Sequence, residues 1–391
     1  MASTASAAER LRTLREMHGW TQTDLAAATG LSQPLLSGIE KMRREATPES
    51  LRAIAEATDT PLSFFQVAPS TVPSDSLHFR KNKTAPVRLT TQVKAYFREA
   101  HRVTTTLLDR ISYPVSQFRP ADARQGSLGQ DEIEAMAAST RRTLGLDPDA
   151  AIPNVTRAIE RAGGAVFRMA LPGVEEGRVI GKGHFGVSYW GGPGERPVIG
   201  YFAGSGDRDR FTIAHELGHV ILHTFREVDD EAENEAHRFA GALLLPEARA
   251  RELIEPTTSL TDYARIKATF GVSIQALIMR ASALGIIDDN RKASLMVQVA
   301  TRGWRTAEPV EVPNEDPQLV GKALRALWPE SPYRAGSEPL AIQPQVLRSL
   351  APVGPSTSAG PAPRGGAKVM AFPGPKSATA EPESGVRRLH P

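Results

Sequence analysis

The stretch TIAHELGHVILH, residues 212–223, places three histidines and one glutamate within twelve positions. Its apolar residues recur at helical spacing, which predicts a helix. His215 and His219 are four positions apart, so both imidazoles lie on one face with Cβ atoms about 6 Å apart and can bind one Zn²⁺. Glu216 is rotated by about 100° from His215. It is too far round to be a third ligand, yet near enough to take a proton from an attacking water.

A third ligand is expected downstream, because a catalytic zinc usually has three protein ligands. The chain contains no cysteine, so this ligand must be His, Asp or Glu. The segment ENEAHRFAGALLLP, 233–246, predicts a second helix with Glu233, Ala236 and Ala240 on one face. Small residues on that face, and Gly218 on the first helix, would let the two helices pack closely. The Glu233 carboxylate could then enter the site.

Two other side chains compete for these roles. Glu235 is rotated by about 200° from Glu233, so we expect it on a solvent-facing side. His223 extends the histidine row by one more turn, and we expect it to support the helix packing or a ligand rather than bind the metal. A metal-free or purely structural site stays open as the alternative for His215 and His219.

The pattern H-E-L-G-H followed by E-x-x-A-x-x-F-A-x-x-L-L-x-P resembles the ImmA/IrrE metallopeptidases. The resemblance implies an α+β gluzincin-like domain with one Zn²⁺ per chain, held by His215, His219 and Glu233, and Glu216 as general base. His237 departs from the family, in which many members have Asn. Since it lies one turn after Glu233, it is either a partner of that carboxylate or an alternative ligand.

The segments before the motif alternate in hydropathy, which predicts short strands at AVFRM, HFGVSYW and PVIGYF. A peptidase must also stabilise the oxyanion formed on the scissile carbonyl. His184, Tyr189 and Tyr201, which lie in these strands, are the candidates.

The first seventy residues predict five short helices with capping residues at Thr21 and Ser32. The pattern W-T-Q-x-x-L-A-x-x-x-G-L-S-Q-x-x-L-S-x-I-E over residues 20–40 resembles Cro/C1-type (XRE) helix-turn-helix domains. Their third helix enters the major groove of double-stranded DNA. The resemblance implies that Gln22 contacts a phosphate of the DNA. It also implies DNA contacts by Gln33, Ser37 and Lys41, which lie on or near the third helix.

The charge of this head leaves an alternative interpretation open, in which the head is a helical bundle that binds only protein. Residues 1–66 carry seven basic against eight acidic side chains, so the head is not basic. Residues 67–119 carry nine basic against three acidic ones, including HFRKNK at 78–83. This stretch could supply the phosphate contacts that the head lacks.

These patterns predict a multidomain protein: an all-α helix-turn-helix head, an α+β gluzincin-like metallopeptidase domain and a disordered C-terminal tail. The tail, 351–391, has eight prolines and six glycines. The expected boundaries are 1–68 for the head, 69–83 for a basic linker, 84–150 for a helical connecting region, 151–290 for the peptidase core, 291–350 for an extension and 351–391 for the tail.

The formal net charge is only +3, and no secretory signal or long apolar segment is evident. We therefore expect a cytoplasmic protein without a membrane partner. The leading hypothesis is a transcriptional regulator whose zinc endopeptidase cleaves a repressor, and palindromic operators favour a homodimer. The alternative is a non-proteolytic transcription factor whose second domain is a metal- or ligand-dependent sensor.

Overall fold

In the computed structural model of the protein, the N-terminal head is a bundle of four α-helices and one 3₁₀ turn. The structure describes residues 4–73, 77–81, 86–122, 126–174, 184–226 and 230–352, so the predicted tail lies outside the described residues from 353 onward. The elements of the head are α1 (Thr4–Met17), α2 (Gln22–Thr29), α3 (Gln33–Glu40), α4 (Pro48–Thr58) and the turn Leu62–Phe65.

Local sequence explains the ends of these helices. Thr21 and Asp24 form the predicted capping box of α2, and Gly30 ends the helix in the left-handed conformation. Ser32 precedes α3 as predicted but makes no side-chain capping hydrogen bond, and the helix ends at Glu40, because Met42 has a φ of 55°. Lys41 therefore lies at the C-terminal cap rather than on the helix. Leu25, Leu36 and Ile39 are buried in the core of the head, whereas Trp20, Ala26 and Leu31 are partly buried at its rim.

The head packs on α5 (Val87–Leu108), the first long helix after it. Arg10 of α1 forms a buried ion pair with Glu99 of α5, and its NH2 lies 2.8 Å from Glu99 Oε2. Arg10 Nε also donates to the carbonyl oxygen of Phe64 at 2.9 Å. Arg102, one turn further along α5, donates to Glu99 as well. These contacts join the head to the rest of the described chain.

Four strands form one sheet in the order β1-β3-β4-β2. They are β1 (His78–Lys81), β2 (Ala165–Arg168), β3 (His184–Tyr189) and β4 (Val198–Tyr201). Strand β3 is antiparallel to both β1 and β4, and β2 is parallel to β4. Strands β2, β3 and β4 were predicted, whereas β1 was not, because its residues fell within the predicted basic linker.

The remaining helices surround the sheet. Helices α6 (Gln130–Thr143) and α7 (Val155–Arg161) precede the helix that carries the histidine motif. The motif lies on α8 (Gly206–Leu222), and the predicted second helix is α9 (Asp230–Leu244). They are followed by α10 (Glu247–Leu253), α11 (Leu260–Phe270), α12 (Ile274–Ala283), α13 (Asp289–Thr301), α14 (Leu319–Leu327), α15 (Pro332–Leu340) and α16 (Pro344–Leu350).

The sheet separates two hydrophobic cores. Val166 and Ile199 face a core that includes α8 and α9. Phe167, Val187 and Val198 belong to a second core, shared with the head, α5 and the helices α14–α16. The fold therefore layers α5 and α8 on opposite faces of one small sheet. None of the described helices is both long and apolar enough to cross a membrane.

Candidate metal centre

His215 and His219 lie on the buried face of α8, one turn apart, as predicted. Both side chains have no exposed surface. Their Nε2 atoms are 3.1 Å apart, and the two rings meet edge to face with centroids 4.7 Å apart. Two imidazole nitrogens aimed at the same point are suited to a shared cation, because their lone pairs otherwise repel each other.

Glu233 reaches this pair from α9, which is the helix that packs most extensively on α8. Its Oε2 lies 3.4 Å from His215 Nε2 and its Oε1 lies 3.3 Å from His219 Nε2. The close approach depends on Gly218, where a Cβ would come within 3.2 Å of the Ala236 Cα. Burial would raise the pKa of Glu233, but hydrogen bonds and electrostatic attraction from His215 and His219 lower it below its ordinary value, so it is ionised.

The donor set fits a tetrahedral zinc ion. Ligand atoms bound at about 2.0–2.1 Å in a tetrahedron are about 3.3–3.4 Å apart. Here His215 Nε2 and His219 Nε2 are 3.1 Å apart, and they lie 3.4 and 3.3 Å from Oε2 and Oε1 of Glu233, respectively. Two imidazoles and one carboxylate are also donors that zinc accepts in catalytic sites.

His237 offers a further donor at the same place. Its ring centroid is 4.5 Å from that of His215, and donor atoms of His215, Glu233 and His237 all lie within 4.8 Å of one another. His237 is exposed, and its Nδ1 lies 2.9 Å from the carbonyl oxygen of Glu233. Hence two overlapping sets of three donors share His215 and Glu233.

Glu216 is oriented by strand β3. Ser188 Oγ donates to Glu216 Oε2 at 2.8 Å, and both residues are fully buried. Gly186 of the same strand leaves room for this carboxylate, since a Cβ at that position would lie 2.6 Å from Glu216 Oε1. Neither contact was predicted from the sequence, because the pairing between a strand and a distant helix is set by tertiary packing.

The expectation that Glu235 faces solvent is wrong, because the chain before α6 covers this side of α9. Glu235 has no exposed surface and accepts hydrogen bonds from Leu128 N at 2.5 Å and from Arg226 NH1 at 2.9 Å. Its Oε2 also lies 2.9 Å from His223 Nε2, and His223 Nδ1 lies 3.0 Å from His219 Nδ1. The structure therefore places His223 behind His219, with Glu235 behind His223.

Tyr189 and Tyr201, two of the candidates for oxyanion stabilisation, are not directed at the histidine pair or Glu233. Tyr201 OH donates to the carbonyl oxygen of Glu315 at 3.3 Å. Tyr189 packs edge to face on His101 of α5, in the core on the other side of the sheet. The third candidate, His184, begins β3, and its side chain lies outside what the structure describes.

A cavity of about 860 Å³ adjoins His237. Phe211, Met279 and Met296 give it apolar walls, and residues 305–312 and Asn314 form one side. Two groups of contacts hold that side in place. Lys267 Nζ lies 2.7 Å from both Asp207 Oδ2 and Glu308 Oε2, while Asn314 Nδ2 donates to Asp209 Oδ2 at 2.7 Å.

In the head, the residues predicted to contact DNA lie on or next to α2 and α3. Gln33 is exposed, and its Nε2 donates to Gln22 Oε1 at 2.8 Å. Gln22 Nε2 in turn donates to Glu40 Oε2 at 3.0 Å, which fixes the Gln22 amide. Ser37 is half-buried on α3 and Lys41 is exposed just beyond it. Gln22 lies on α2, Gln33 and Ser37 lie on α3, and Lys41 is at the C-terminal cap of α3. Gln22 is already engaged within the head.

Two parts of the chain match known families. Residues 11–65 match the helix-turn-helix family model, and residues 184–282 match that of peptidase family M78, the IrrE N-terminal-like domain. No curated protein matches the chain. The first match covers helices α2 and α3, and the second covers His215, Glu216, His219 and Glu233. The chain joins an XRE-type helix-turn-helix DNA-binding domain to an IrrE-like metallopeptidase domain.

Proposed function

We propose that this protein is a zinc endopeptidase that its own head brings to DNA, where it cleaves a transcriptional repressor. The observation that carries the proposal is the convergence of His215, His219 and Glu233 at 3.1–3.4 Å beside Glu216. The head supports the choice of substrate, because a DNA-binding module concentrates the peptidase at operators, where repressors are bound.

Each group has a defined task in this proposal. His215, His219 and Glu233 would hold a zinc ion, which would supply Lewis acidity to the scissile carbonyl and would lower the pKa of water. Glu216 takes the proton of the attacking water and passes it to the leaving amine. Ser188 orients Glu216 through its hydrogen bond to Oε2. The cavity beside His237 is large enough to hold side chains of a peptide substrate.

One observation favours a second function, that of a non-proteolytic metal sensor. If His237 binds the metal together with His215, His219 and Glu233, the coordination sphere is filled by four protein donors. Such closed sites are structural, since catalytic zinc keeps a position for water. In that case DNA binding, rather than proteolysis, would respond to the metal.

The experiment compares wild type with Glu216→Gln. Both proteins are loaded with zinc and incubated with the helix-turn-helix repressors encoded beside the gene. We expect both to hold about one zinc, and the variant to cleave at least about a hundredfold more slowly, because it lacks the proton acceptor. Glu231→Gln, an exposed change on α9, serves as the control and should cleave like wild type. Equal cleavage by wild type and Glu216→Gln would contradict the proposed mechanism.

A further inference from the structure

The first turns of α5 lie against the loop that precedes α2 of the head. Gln92 Nε2 donates to the carbonyl oxygen of Met17 at 3.1 Å. Arg88, one turn earlier on α5, donates from Nε to the carbonyl oxygen of Gly19 and from Nη2 to Asp24 Oδ2, the latter at 3.1 Å. These contacts fix the Arg88 side chain beside the first turn of α2.

Arg88 stays open to solvent in spite of these contacts. Its side chain is 64% exposed, and that of Asp24 is 44% exposed. A guanidinium has more N–H donors than its bonds to Gly19 and Asp24 use. Arg88 therefore has donors left for an acceptor that approaches the head from solvent.

Two other arginines of α5 are engaged inside the fold. They donate to backbone carbonyl oxygens: Arg98 to those of Ser70 and Val72, and Arg102 to those of Leu340 and Ala341. Both side chains are largely buried against these segments. Among these three arginines of α5, Arg88 is the one that is placed to meet a partner of the head.

Asp24 puts a negative charge at the place where the DNA backbone is expected. It lies in the first turn of α2, two residues after Gln22, the residue expected at a phosphate. Like charges repel at short range, so the phosphate backbone approaches this turn more easily once Asp24 is neutralised. The amide of Gln22 cannot do this, since it is uncharged and is held by Glu40 and Gln33.

The head has little positive charge of its own for this task. Residues 1–66 carry seven basic against eight acidic side chains. Two of the basic ones, Arg10 and Arg15, are already paired with Glu99 and Glu40. The positive charge that lies against Asp24 comes instead from the connecting helix.

We propose that Arg88 belongs to the DNA interface. Its guanidinium neutralises Asp24 and donates to a phosphate of the double-stranded DNA that passes the start of α2. The interface then extends beyond the head onto α5, and residue 88 lies outside both family matches, 11–65 and 184–282. This inference rests on DNA binding by the head, which is part of the proposed function, and does not depend on proteolysis.

The two members of the Arg88–Asp24 pair test the proposal against each other. Full-length wild type, Arg88→Ala and Asp24→Asn are titrated by anisotropy, at three salt concentrations, with an operator selected by wild type from random DNA. We expect Arg88→Ala to reduce the dependence of affinity on salt by about one ion and to bind about tenfold more weakly at about 0.1 M salt. Asp24→Asn keeps an oxygen that can accept from Thr21 N, and it should bind at least as tightly as wild type, because a charge that repels phosphates is gone.

Two further variants serve as controls. Arg88→Lys keeps the positive charge, so it should keep the salt dependence of wild type and bind within about threefold of it. Arg265→Ala breaks another exposed pair of Arg and Asp, with Asp262 on α11 of the peptidase part, and should bind DNA like wild type.

A purely structural pair would give a different result. If Arg88 and Asp24 only hold the head on α5, then Arg88→Ala and Asp24→Asn weaken binding by similar factors, and the salt dependence stays that of wild type. That result would overturn the proposal, and so would unchanged affinity in Arg88→Ala.

Cleavage is measured separately, so the two proposals can fail independently. A reduced salt dependence in Arg88→Ala, while wild type cleaves no repressor, would support the extended DNA interface and contradict the proposed peptidase function. Cleavage by wild type with unchanged DNA binding in Arg88→Ala would do the reverse. A wild type that selects no operator would contradict both.

Discussion

Nε2 of His223 and Oε2 of Glu235 lie 2.9 Å apart, and both side chains are fully buried. Burial and the neighbouring His219 lower the pKa of His223 to about 4, so its imidazole is neutral at pH 7. Since the Glu235 carboxylate only accepts, His223 donates from Nε2 and accepts at Nδ1. His219 must then donate from Nδ1, which leaves its Nε2 lone pair directed at His215 and Glu233.

Loss of Glu235 should destabilise the protein even without metal. Glu235→Ala leaves His223, Arg226 and the Leu128 N–H without their buried acceptor. We expect the free energy of unfolding in urea, measured with a chelator present, to fall by about 3 kcal/mol. Glu231→Ala removes a largely exposed carboxylate from the same helix and should cost less than about 1 kcal/mol. An equal decrease in the free energy of unfolding in the two variants would show that the buried hydrogen bonds of Glu235 stabilise the protein no more than an exposed carboxylate does.

His101 should make stability fall in mild acid. It is buried on α5, its Nε2 has no hydrogen-bond partner among the described residues, and burial lowers its pKa from 6.5 to about 4. The unfolded chain therefore binds a proton below pH 6.5 that the folded chain takes up only near pH 4. The free energy of unfolding therefore keeps this contribution above pH 6.5 and loses it as the pH falls toward 4. The total loss is about 3 kcal/mol.

His101→Phe removes this proton uptake. Urea unfolding of wild type and variant between pH 7.5 and pH 4 should give curves that diverge by about 3 kcal/mol, with wild type losing more. Parallel curves would show that His101 is protonated equally in the folded and unfolded states.

The two exposed polar residues near α3 should affect DNA binding differently. We expect Gln33 to bind a base edge, so Gln33→Ala should cost about 1–3 kcal/mol on the preferred operator and relax the preference at one base pair. Lys41→Ala should weaken binding to all sequences alike and reduce the dependence of affinity on salt by about one ion. Operators selected from random DNA, followed by anisotropy titrations at three salt concentrations, measure both effects. A uniform loss with Gln33→Ala would assign it to the DNA backbone instead.

The sequence predicted those features that depend on neighbours along the chain. The histidine pair follows from helical spacing, the choice of Glu233 follows from the resemblance to the ImmA/IrrE metallopeptidases, and the capping box at Thr21 and Asp24 follows from local hydrogen bonding. Glu235 could not be placed in the same way, because a loop more than a hundred residues earlier buries it. Strand β1 was missed for a similar reason, since four residues of which three are polar or basic become a strand only when β3 lies beside them.

Zinc affinity in four single variants tests the central claim most directly, namely that His215, His219 and Glu233 hold the metal. Equilibrium titration of zinc against a competing chelator is applied to His215→Ala, His219→Ala, Glu233→Ala and His237→Ala. We expect the first three to lose at least about a hundredfold in affinity, since even partners of a ligand contribute ten- to a hundredfold, and His237→Ala to lose about tenfold or less. Retained affinity in His219→Ala, together with its loss in His237→Ala, would contradict the account and assign the metal to His215, Glu233 and His237.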